Sequence, residues 1–300
     1  WLELLNNPPT AAWPAFKLAW LREHHPSQWE RIATVLMPKD YVNFRLCGVR
    51  ATDYSEASCY YLMDSATLQW SPEALRQFGL RADQLPALHL SSEVIGHITP
   101  AAASVTGLPP GVPVVAGTAD MAATLLGSGV YQAGIASDST GTSTLLTVVS
   151  EHPLLSAGVN NLHLANSAWG GFTLLDAGGD AMRWARSALS AGQLSHQQML
   201  DMAAEVPPGA EGLLFLPYLT GERLAEHTNS RAQFFGLQRK HRQPHLYRAV
   251  LEGVALASLR NLQQLRRHAQ EPEAMIASGG GARSPLWLQI KASVDRKSVV

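Results

Sequence analysis

Short apolar runs that end in glycine turns, each followed by a helical or alternating pattern, recur along the chain. The run 112–116 is typical of a buried strand, Gly117 interrupts it, and the Ala/Leu-rich residues 121–127 have the pattern of a helix. Asp120 therefore lies at a predicted strand-to-helix corner, where open α/β sheets bind ligands. Asp is also a favoured helix N-cap, so a purely structural role for Asp120 stays open at this point.

A second turn interrupts residues 135–149, whose alternating pattern predicts two strands. Gly141, Thr142 and Ser143 form this turn. Glycine permits close approach of a ligand and the hydroxyl groups donate hydrogen bonds, so the turn suits an anion. An ordinary hairpin turn has the same composition, so both interpretations stay open.

A third corner contains Gly178 and Gly179, between the apolar run 172–175 and the helical residues 181–186. It repeats the order of strand, glycine and helix found around Asp120. A tight turn that binds nothing would have the same sequence pattern.

The fourth corner has three consecutive glycines after the strand-like residues 275–277. Gly280, Gly281 and Ala282 precede Ser284, a good N-cap, so bare backbone is predicted beside a helix N-terminus. This arrangement suits a flat or anionic part of a ligand. Because each corner follows a predicted strand, we expect one strand edge to carry all four.

Helical patterns also cover residues 14–24, 29–37 and 245–267. We interpret their apolar positions as core. The buried-face candidates are Phe16, Trp20, Ile32, Leu36, Leu246, Val250, Val254, Leu262 and Leu265.

The remaining landmarks are predicted to be structural. Asp40 and either Asp53 or Ser55 are interpreted as caps that open further helices. Residues 80–111 show no clear helical period and are predicted to be irregular chain on the surface. Alternation begins afresh beyond residues 129–134, which predicts a domain boundary there.

Length and composition suit a globular protein of two domains, with 300 residues of which 46% are hydrophobic. A net charge of -1 offers no broad field for nucleic acid or an anionic membrane, and no apolar run reaches the ~18 residues of a membrane span. Cys47 and Cys59 have no metal-ligand spacing and fit a reducing compartment, so the cytoplasm is expected. His241 and His245 lack a third ligand nearby, so no metal-binding residue is predicted.

Three familiar motifs are missing from the sequence. It has no GxxxxGK[ST] loop and no GxGxxG with an acidic residue at the expected distance, so neither a Walker-type nor a Rossmann nucleotide site is supported. It has no GxSxG elbow of a hydrolase either.

The order of the motifs along the chain resembles the FGGY carbohydrate kinases, and within that family the xylulokinase branch most closely. Residues 14–24 resemble the first family signature, and residues 232–237 with 245–252 resemble the second. The landmarks between and after them are also similar: Pro38-Lys39-Asp40-Tyr41, Thr52-Asp53-Tyr54-Ser55, residues 117–120, Gly141-Thr142-Ser143, residues 217–223 and residues 279–284. The resemblance spans residues 1–293, and the sequence after Ser293 is not expected to continue it.

This resemblance implies an α/β fold of the two-domain actin-like ATPase (ribonuclease H-like) type, truncated at both ends. Residues 1–131 would be the C-terminal part of the N-terminal FGGY domain, on the sugar side. Residues 132–300 would be an incomplete C-terminal FGGY domain, on the nucleotide side. Sugar and ATP would meet between the domains. Assembly into a homodimer stays open.

The resemblance also implies roles for the corner residues. Asp120 would be the general base that takes a proton from a sugar hydroxyl as its oxygen attacks the γ-phosphorus of ATP, while Mg²⁺ offsets phosphate charge. Met121 would also face the substrate, at a position where related kinases often have Asn or Gln. The nucleotide-binding residues would be Gly141, Thr142 and Ser143 at the terminal phosphates, Gly178 and Gly179 along the nucleotide, and Gly280, Gly281 and Ala282 beside the adenosine.

The implied activity is ATP-dependent phosphorylation of a ketose, with D-xylulose to D-xylulose 5-phosphate as the leading expectation. The alternatives are a kinase for another pentulose, hexulose or polyol, such as ribulose, fuculose or glycerol, and a nucleotide-binding fragment without turnover. The family's Asp-x-Gly-Thr phosphate loop, whose Asp assists Mg²⁺, has no counterpart after Trp1 and would lie upstream of it. The 300-residue chain alone is therefore expected to be inactive.

Overall fold

The computed structural model describes residues 1–222, 229–269 and 271–296. Its helices are α1 (Leu2–Leu5), α2 (Pro14–His24), α3 (Pro26–Trp29), α4 (Pro38–Cys47), α5 (Tyr54–Ser58), α6 (Pro72–Phe78), α7 (Pro100–Thr106), α8 (Asp120–Gly127), α9 (Gly179–Ser190), α10 (His196–Ala204), α11 (Gln243–Arg266) and α12 (Pro285–Asp295). Its strands are β1 (Ala51–Asp53), β2 (Met63–Asp64), β3 (Gln69–Trp70), β4 (Ala87–His89), β5 (Val94–His97), β6 (Pro113–Val115), β7 (Ile135–Thr140), β8 (Thr144–Ser150), β9 (Asn160–His163), β10 (Trp169–Leu175), β11 (Leu214–Leu216), β12 (Gln233–Phe235) and β13 (Ala274–Ser278). Within the described ranges, none of these helices has the length and apolar character needed to cross a membrane.

The described chain forms two compact units. The first unit contains residues 1–131 and 150–170, and the second contains residues 132–149 and 171–300. Residues 150–170 thus pack in the first unit, although they follow the first hairpin of the second unit along the chain. The division into domains at residue 131 stays a prediction.

The first unit contains helices and three two-stranded sheets. Strand β1 runs parallel to β4, while β2 with β3 and β5 with β6 are antiparallel pairs. Phe16 of α2 packs against the rings of Tyr61 and Phe78, with ring centroids 5.1 and 5.3 Å apart. A second buried cluster contains Ile95 and Val114 and fixes β6, the strand that leads to Asp120.

The second unit is organised around one sheet and one long helix. Four neighbouring strands of the sheet lie in the order β13-β7-β8-β10. Strand β13 runs parallel to β7, with Ser278 opposite Ser139, while β7 and β8 form an antiparallel hairpin. Helix α11 buries Val250 and Val254 and packs against α9, α10, α12 and β11. Because β7 and β13 are parallel, their C-terminal ends lie at the same edge of the sheet.

Helix α2 confirms the prediction for residues 14–24, but the helix predicted for residues 29–37 is wrong. Helix α3 ends at Trp29, and residues 30–37 contain neither helix nor strand. Their backbone is bonded to a distant segment instead, because Val35 donates its N–H to the carbonyl of Gln84 at 2.8 Å and Gln84 donates its side-chain N–H to the carbonyl of Ile32 at 3.0 Å. Trp20 is 54% exposed and is not a core residue.

One of the predicted caps is confirmed and the other is wrong. Asp53 is the N-cap of α5, and its side chain accepts the N–H groups of Ser55 and Glu56. Asp40 lies inside α4, whose N-cap is Met37, because the helix already begins at Pro38.

Residues 80–111 are more regular than predicted, since they contain β4, β5 and α7. Thr99 caps α7 by accepting the N–H of Ala102 at 3.2 Å, and Pro100 occupies the first helical position. A helix of seven residues spans too few turns to show a periodic pattern.

Candidate functional site

The turn between β7 and β8 docks directly on the N-terminus of α9. Gly141 donates its N–H to the carbonyl of Ser143 at 2.9 Å, which closes the turn. Gly179 then donates its N–H to the carbonyl of Gly141 at 2.8 Å, and Asp180 donates its N–H to the carbonyl of Thr142 at 3.0 Å. Two N–H groups at the start of α9 therefore form hydrogen bonds to the protein's own backbone.

Glycine is required at this contact because two backbones approach each other closely. A Cβ atom on Gly178 would lie 2.5 Å from the carbonyl carbon of Ser143, and one on Gly179 would lie 2.5 Å from the carbonyl oxygen of Gly141. Neither backbone group can move aside as the end of a flexible side chain does. Gly178 and Gly179 thus have a structural reason to be glycine, independent of any ligand.

The three-glycine corner meets the same hairpin from the other side. Gly279 has φ +77°, and a Cβ atom on it would lie 2.6 Å from the carbonyl oxygen of Thr140. A Cβ atom on Gly281 would lie 2.8 Å from the Cβ atom of Thr140. Ser284 confirms its predicted cap by accepting the N–H of Trp287 at 3.2 Å. Three of the four predicted corners therefore converge on residues 140–143 at one strand edge.

A cavity of about 350 Å³ opens where these three corners meet. It is lined by Gly141, Thr142, Gly179, Met182, Arg183, His196, Leu200, Leu251, Gly280, Gly281, Ser284 and Trp287. Five of the eight residues implied for nucleotide binding thus share one cavity, whereas Ser143, Gly178 and Ala282 do not line it.

Several lining residues were missed by the sequence analysis. Arg183 follows Gly179 by one helical turn and lies 3.1 Å from a carboxylate oxygen of Asp180, and this spacing on a predicted helix could have identified it. His196 begins α10, and nothing in the sequence links it to the glycine corners. Met182 and Trp287 belong to the apolar faces of α9 and α12, where a side chain that packs in the core gives the same pattern as one that lines a cavity.

A buried ion pair lies behind the hairpin. The Nζ atom of Lys291 is 2.9 and 2.7 Å from the two carboxylate oxygens of Asp138, and it donates to Thr140 Oγ1 at 2.7 Å. Lys291 is only 6% exposed, and its Nζ lies 5.0 Å from the centre of the Trp287 ring. The pair therefore connects the end of β7 to a wall of the cavity. The signal missed in the sequence is a Lys four residues after Trp287 on an otherwise apolar helix face.

In the first unit, Asp120 is the first residue of α8, and the interpretation of Asp120 as the N-cap is wrong. Ala119 is the N-cap, and no side chain caps the helix there. The carboxylate of Asp120 instead accepts the N–H of the adjacent Met121 at 2.6 Å, and Asp120 is exposed. The Asp120 side chain is therefore accessible to a ligand.

Buried side chains hold the Asp120 corner from behind. Ser55 Oγ accepts the N–H of Ala119 at 2.7 Å, lies 2.8 Å from Thr118 Oγ1 and donates to Asp53 Oδ2 at 2.5 Å. Lys39 Nζ donates to the carbonyl of Ala116 at 2.9 Å. These contacts fix the backbone on the N-terminal side of Asp120.

Four carboxylates and one ammonium group surround this corner. Lys39 Nζ lies 2.7 Å from Asp40 and 3.2 Å from Asp53. Burial lowers the pKa of Lys39, but the bonds and charges of these two carboxylates outweigh that effect and the pKa is raised. Burial also raises the pKa of Glu56 to about 7, and the charges of Asp40, Asp53 and Asp120 add to that shift while Lys39 opposes it.

No group of three or more His, Cys, Asp or Glu residues is arranged to hold a metal ion in the part of the chain that the structure describes. His241 and His245 lie close together, with ring centroids 5.4 Å apart, and Glu211 Oε1 lies 3.9 Å from His245 Nε2.

The chain has an α/β fold of the actin-like ATPase (ribonuclease H-like) class, which it shares with solved structures of sugar kinases. The models of the FGGY family of carbohydrate kinases match this chain twice, the N-terminal domain over residues 5–127 and the C-terminal domain over residues 136–300. The chain belongs to the FGGY family of carbohydrate kinases. Its family match continues to residue 300 and α12 extends to Asp295, so the expectation that the resemblance ends at Ser293 is wrong.

Named relatives come from more than one kind of sugar kinase. Xylulose kinase from Escherichia coli (strain K12) is 36% identical over 93% of this chain and 58% of that protein. Gluconokinase from Bacillus licheniformis is 30% identical over 96% of this chain and 58% of that protein. The solved structure of xylulose kinase from Rhodospirillum rubrum has a TM-score of 0.94 at 32% identity, covering 99% of this chain and 61% of that protein. The chain thus spans about 60% of the length of the relatives it matches.

Proposed function

We propose that this chain is part of an enzyme that transfers the γ-phosphate of ATP to a hydroxyl group of a ketose, with D-xylulose as the expected substrate. The observation that carries the proposal is the convergence of three glycine corners on one cavity. Membership of the FGGY family and similarity to xylulose kinases support it.

The cavity has the chemistry that a nucleotide requires. Met182, Leu200, Leu251 and Trp287 provide apolar walls for a flat base, and Arg183 provides a cation for phosphate. A Cβ atom on Gly141 or Gly280 would meet no atom within 4 Å, so the space beside these two glycines is open to a ligand. We therefore assign ATP to this cavity, with Gly141 and Thr142 beside its phosphates.

Asp120 is the group that we assign as general base. Its carboxylate is exposed at the first position of α8, where the helix dipole favours negative charge. It would accept the proton of a sugar hydroxyl while the oxygen forms a bond to the γ-phosphorus and the bond from that phosphorus to ADP breaks. Met121 is half-buried beside Asp120, and its contact with the sugar remains part of the proposal.

Mg²⁺ offsets phosphate charge in transfers of this kind. It usually binds through one or two carboxylates together with the phosphates of the nucleotide, and we assign none of the described residues to it.

An ADP-release screen of the intact protein with ketoses and polyols tests the proposal, with D-xylulose expected to give the highest kcat/KM. Asp120→Ala should abolish turnover and leave nucleotide binding unchanged. Turnover that survives in Asp120→Ala would overturn the assignment of the base, and stimulation by none of the ketoses would overturn the substrate class.

A second candidate is nucleotide binding without phosphoryl transfer. The observation that favours it is that every residue lining the cavity belongs to the second unit, so binding needs no residue of the first. The same screen separates the two, because calorimetry would then show ATP binding while no sugar, including gluconate, releases ADP.

A further inference from the structure

Glu56 differs from the other carboxylates around the Asp120 corner because no described residue forms a hydrogen bond or ion pair with its side chain. Asp40 pairs with Lys39, Asp53 accepts from Ser55 and Ser91, and Asp120 accepts from Met121. Glu56 is only 9% exposed, and the influences on its carboxylate are burial and nearby charges. Neither of its oxygens is among the fully enclosed unpartnered atoms, so each oxygen retains some accessible surface.

An unpartnered buried carboxylate is costly. Moving an ionised carboxylate away from water without a partner destabilises the folded protein, and Glu is rarely buried unless it is paired. A ligand that supplies hydrogen bonds would remove that cost. The Glu56 side chain can therefore take a hydrogen-bonding partner that none of the described residues provides.

The backbone places Glu56 beside the proposed base. Its N–H is bonded to Asp53 in the capped first turn of α5. The preceding residue, Ser55, accepts the N–H of Ala119, which directly precedes Asp120.

We propose that the carboxyl group of Glu56 hydrogen-bonds a hydroxyl group of the sugar, adjacent to the hydroxyl group that Asp120 deprotonates, and so selects substrates that carry it. This inference rests on the proposed function. A sugar hydroxyl both donates and accepts, so it can pair with the carboxyl group in either protonation state. A site left with an unpaired buried polar group rejects an analogue that lacks the hydroxyl group.

The test varies residue 56 and the hydroxyl groups of the sugar together and compares kcat/KM. The intact protein is assayed with its best ketose and with deoxy analogues that each lack one hydroxyl group not phosphorylated in the reaction. In the wild type, one analogue is expected to lose about ten- to hundred-fold in kcat/KM, the range for a hydrogen bond to a charged group. In Glu56→Ala that loss should shrink to less than about three-fold, while the other analogues behave as in the wild type.

Two further variants keep the result interpretable. Glu56→Gln is almost isosteric and should retain part of the discrimination, so it replaces Glu56→Ala if that variant does not fold. Glu73→Gln is the matched control, because Glu73 is an exposed glutamate in the first turn of α6 of the same unit. It should leave every ratio unchanged.

If each analogue loses as much kcat/KM in the Glu56 variants as in the wild type, the inference is overturned and the kinase assignment stands. If the wild type phosphorylates no ketose, the proposed function fails and this inference fails with it.

Discussion

The glycine corners of the second unit and the Asp120 corner of the first are built from different materials. The cavity of the second unit depends on close backbone contacts, as between Gly179 and the carbonyl of Gly141. The Asp120 corner is held by buried side chains, among them Ser55 and Lys39. Added atoms should therefore damage the glycine corners most. Lost charges and hydrogen bonds should damage the Asp120 corner most.

The largest expected effect is on catalysis at the Asp120 corner. Asp120→Asn keeps an oxygen that can accept the N–H of Met121 but removes the proton acceptor, so kcat should fall by about 100- to 10,000-fold. Nucleotide affinity, measured by calorimetry, should not change. Asp83→Asn is the matched control on the exposed surface of the same unit. A kcat within ten-fold of the wild type would contradict a base at this position.

The buried ion pair of the second unit is an exception to this contrast. It places two charged side chains behind a site that otherwise depends on backbone contacts. Lys291→Met should lower the free energy of unfolding by about 3–5 kcal/mol, because it leaves Asp138 buried without its partner. The double variant Lys291→Met, Asp138→Leu should recover most of that loss. Urea unfolding checks this, and costs that simply add in the double variant would mean that the two side chains do not depend on each other.

Glu56 makes the first unit sensitive to pH. Its pKa is raised from 4.5 to about 7, so the folded state holds this proton more tightly than the unfolded chain. The contribution of this proton to the free energy of unfolding is therefore fully present below pH 4.5 and is lost as the pH rises through 7. The loss approaches about 3 kcal/mol at pH 8.

Glu56→Gln removes this loss, because its side chain does not ionise. Its gain in free energy of unfolding over the wild type should be largest at pH 8 and should shrink toward pH 5. Unfolding titrations at several pH values measure it. A gain that is the same at every pH would show that packing, not ionisation, is responsible.

The smallest effects separate two kinds of glycine within the cavity. Gly179→Ala should cost about 1–3 kcal/mol of stability, because its Cβ meets a backbone oxygen at 2.5 Å. Gly141→Ala meets nothing within 4 Å, so it should leave stability unchanged and weaken nucleotide binding. Denaturant unfolding and calorimetry on both variants measure this difference, and equal stability losses would remove the distinction between docking and ligand-facing glycines.

Features with local causes were predictable from the sequence. Pro14 begins α2, Asp53 caps α5 and Ser284 caps α12, because each depends on residues only a few positions away. The prediction of a helix over residues 29–37 failed for the opposite reason. Its backbone groups bond to Gln84, about fifty residues further along, and a local pattern contains no trace of that partner.

The candidate site also combines features with local causes and features that depend on distant residues. The positions of the glycine corners could be read from the sequence, because a turn with close backbone contacts requires glycine at particular positions. Only the folded chain brings Lys291 to Asp138 across 153 residues, and only the folded chain buries Glu56 near the Asp120 corner with no side-chain partner among the described residues. Burial and pairing are properties of the space around a side chain, and that space is formed by segments far apart in the sequence.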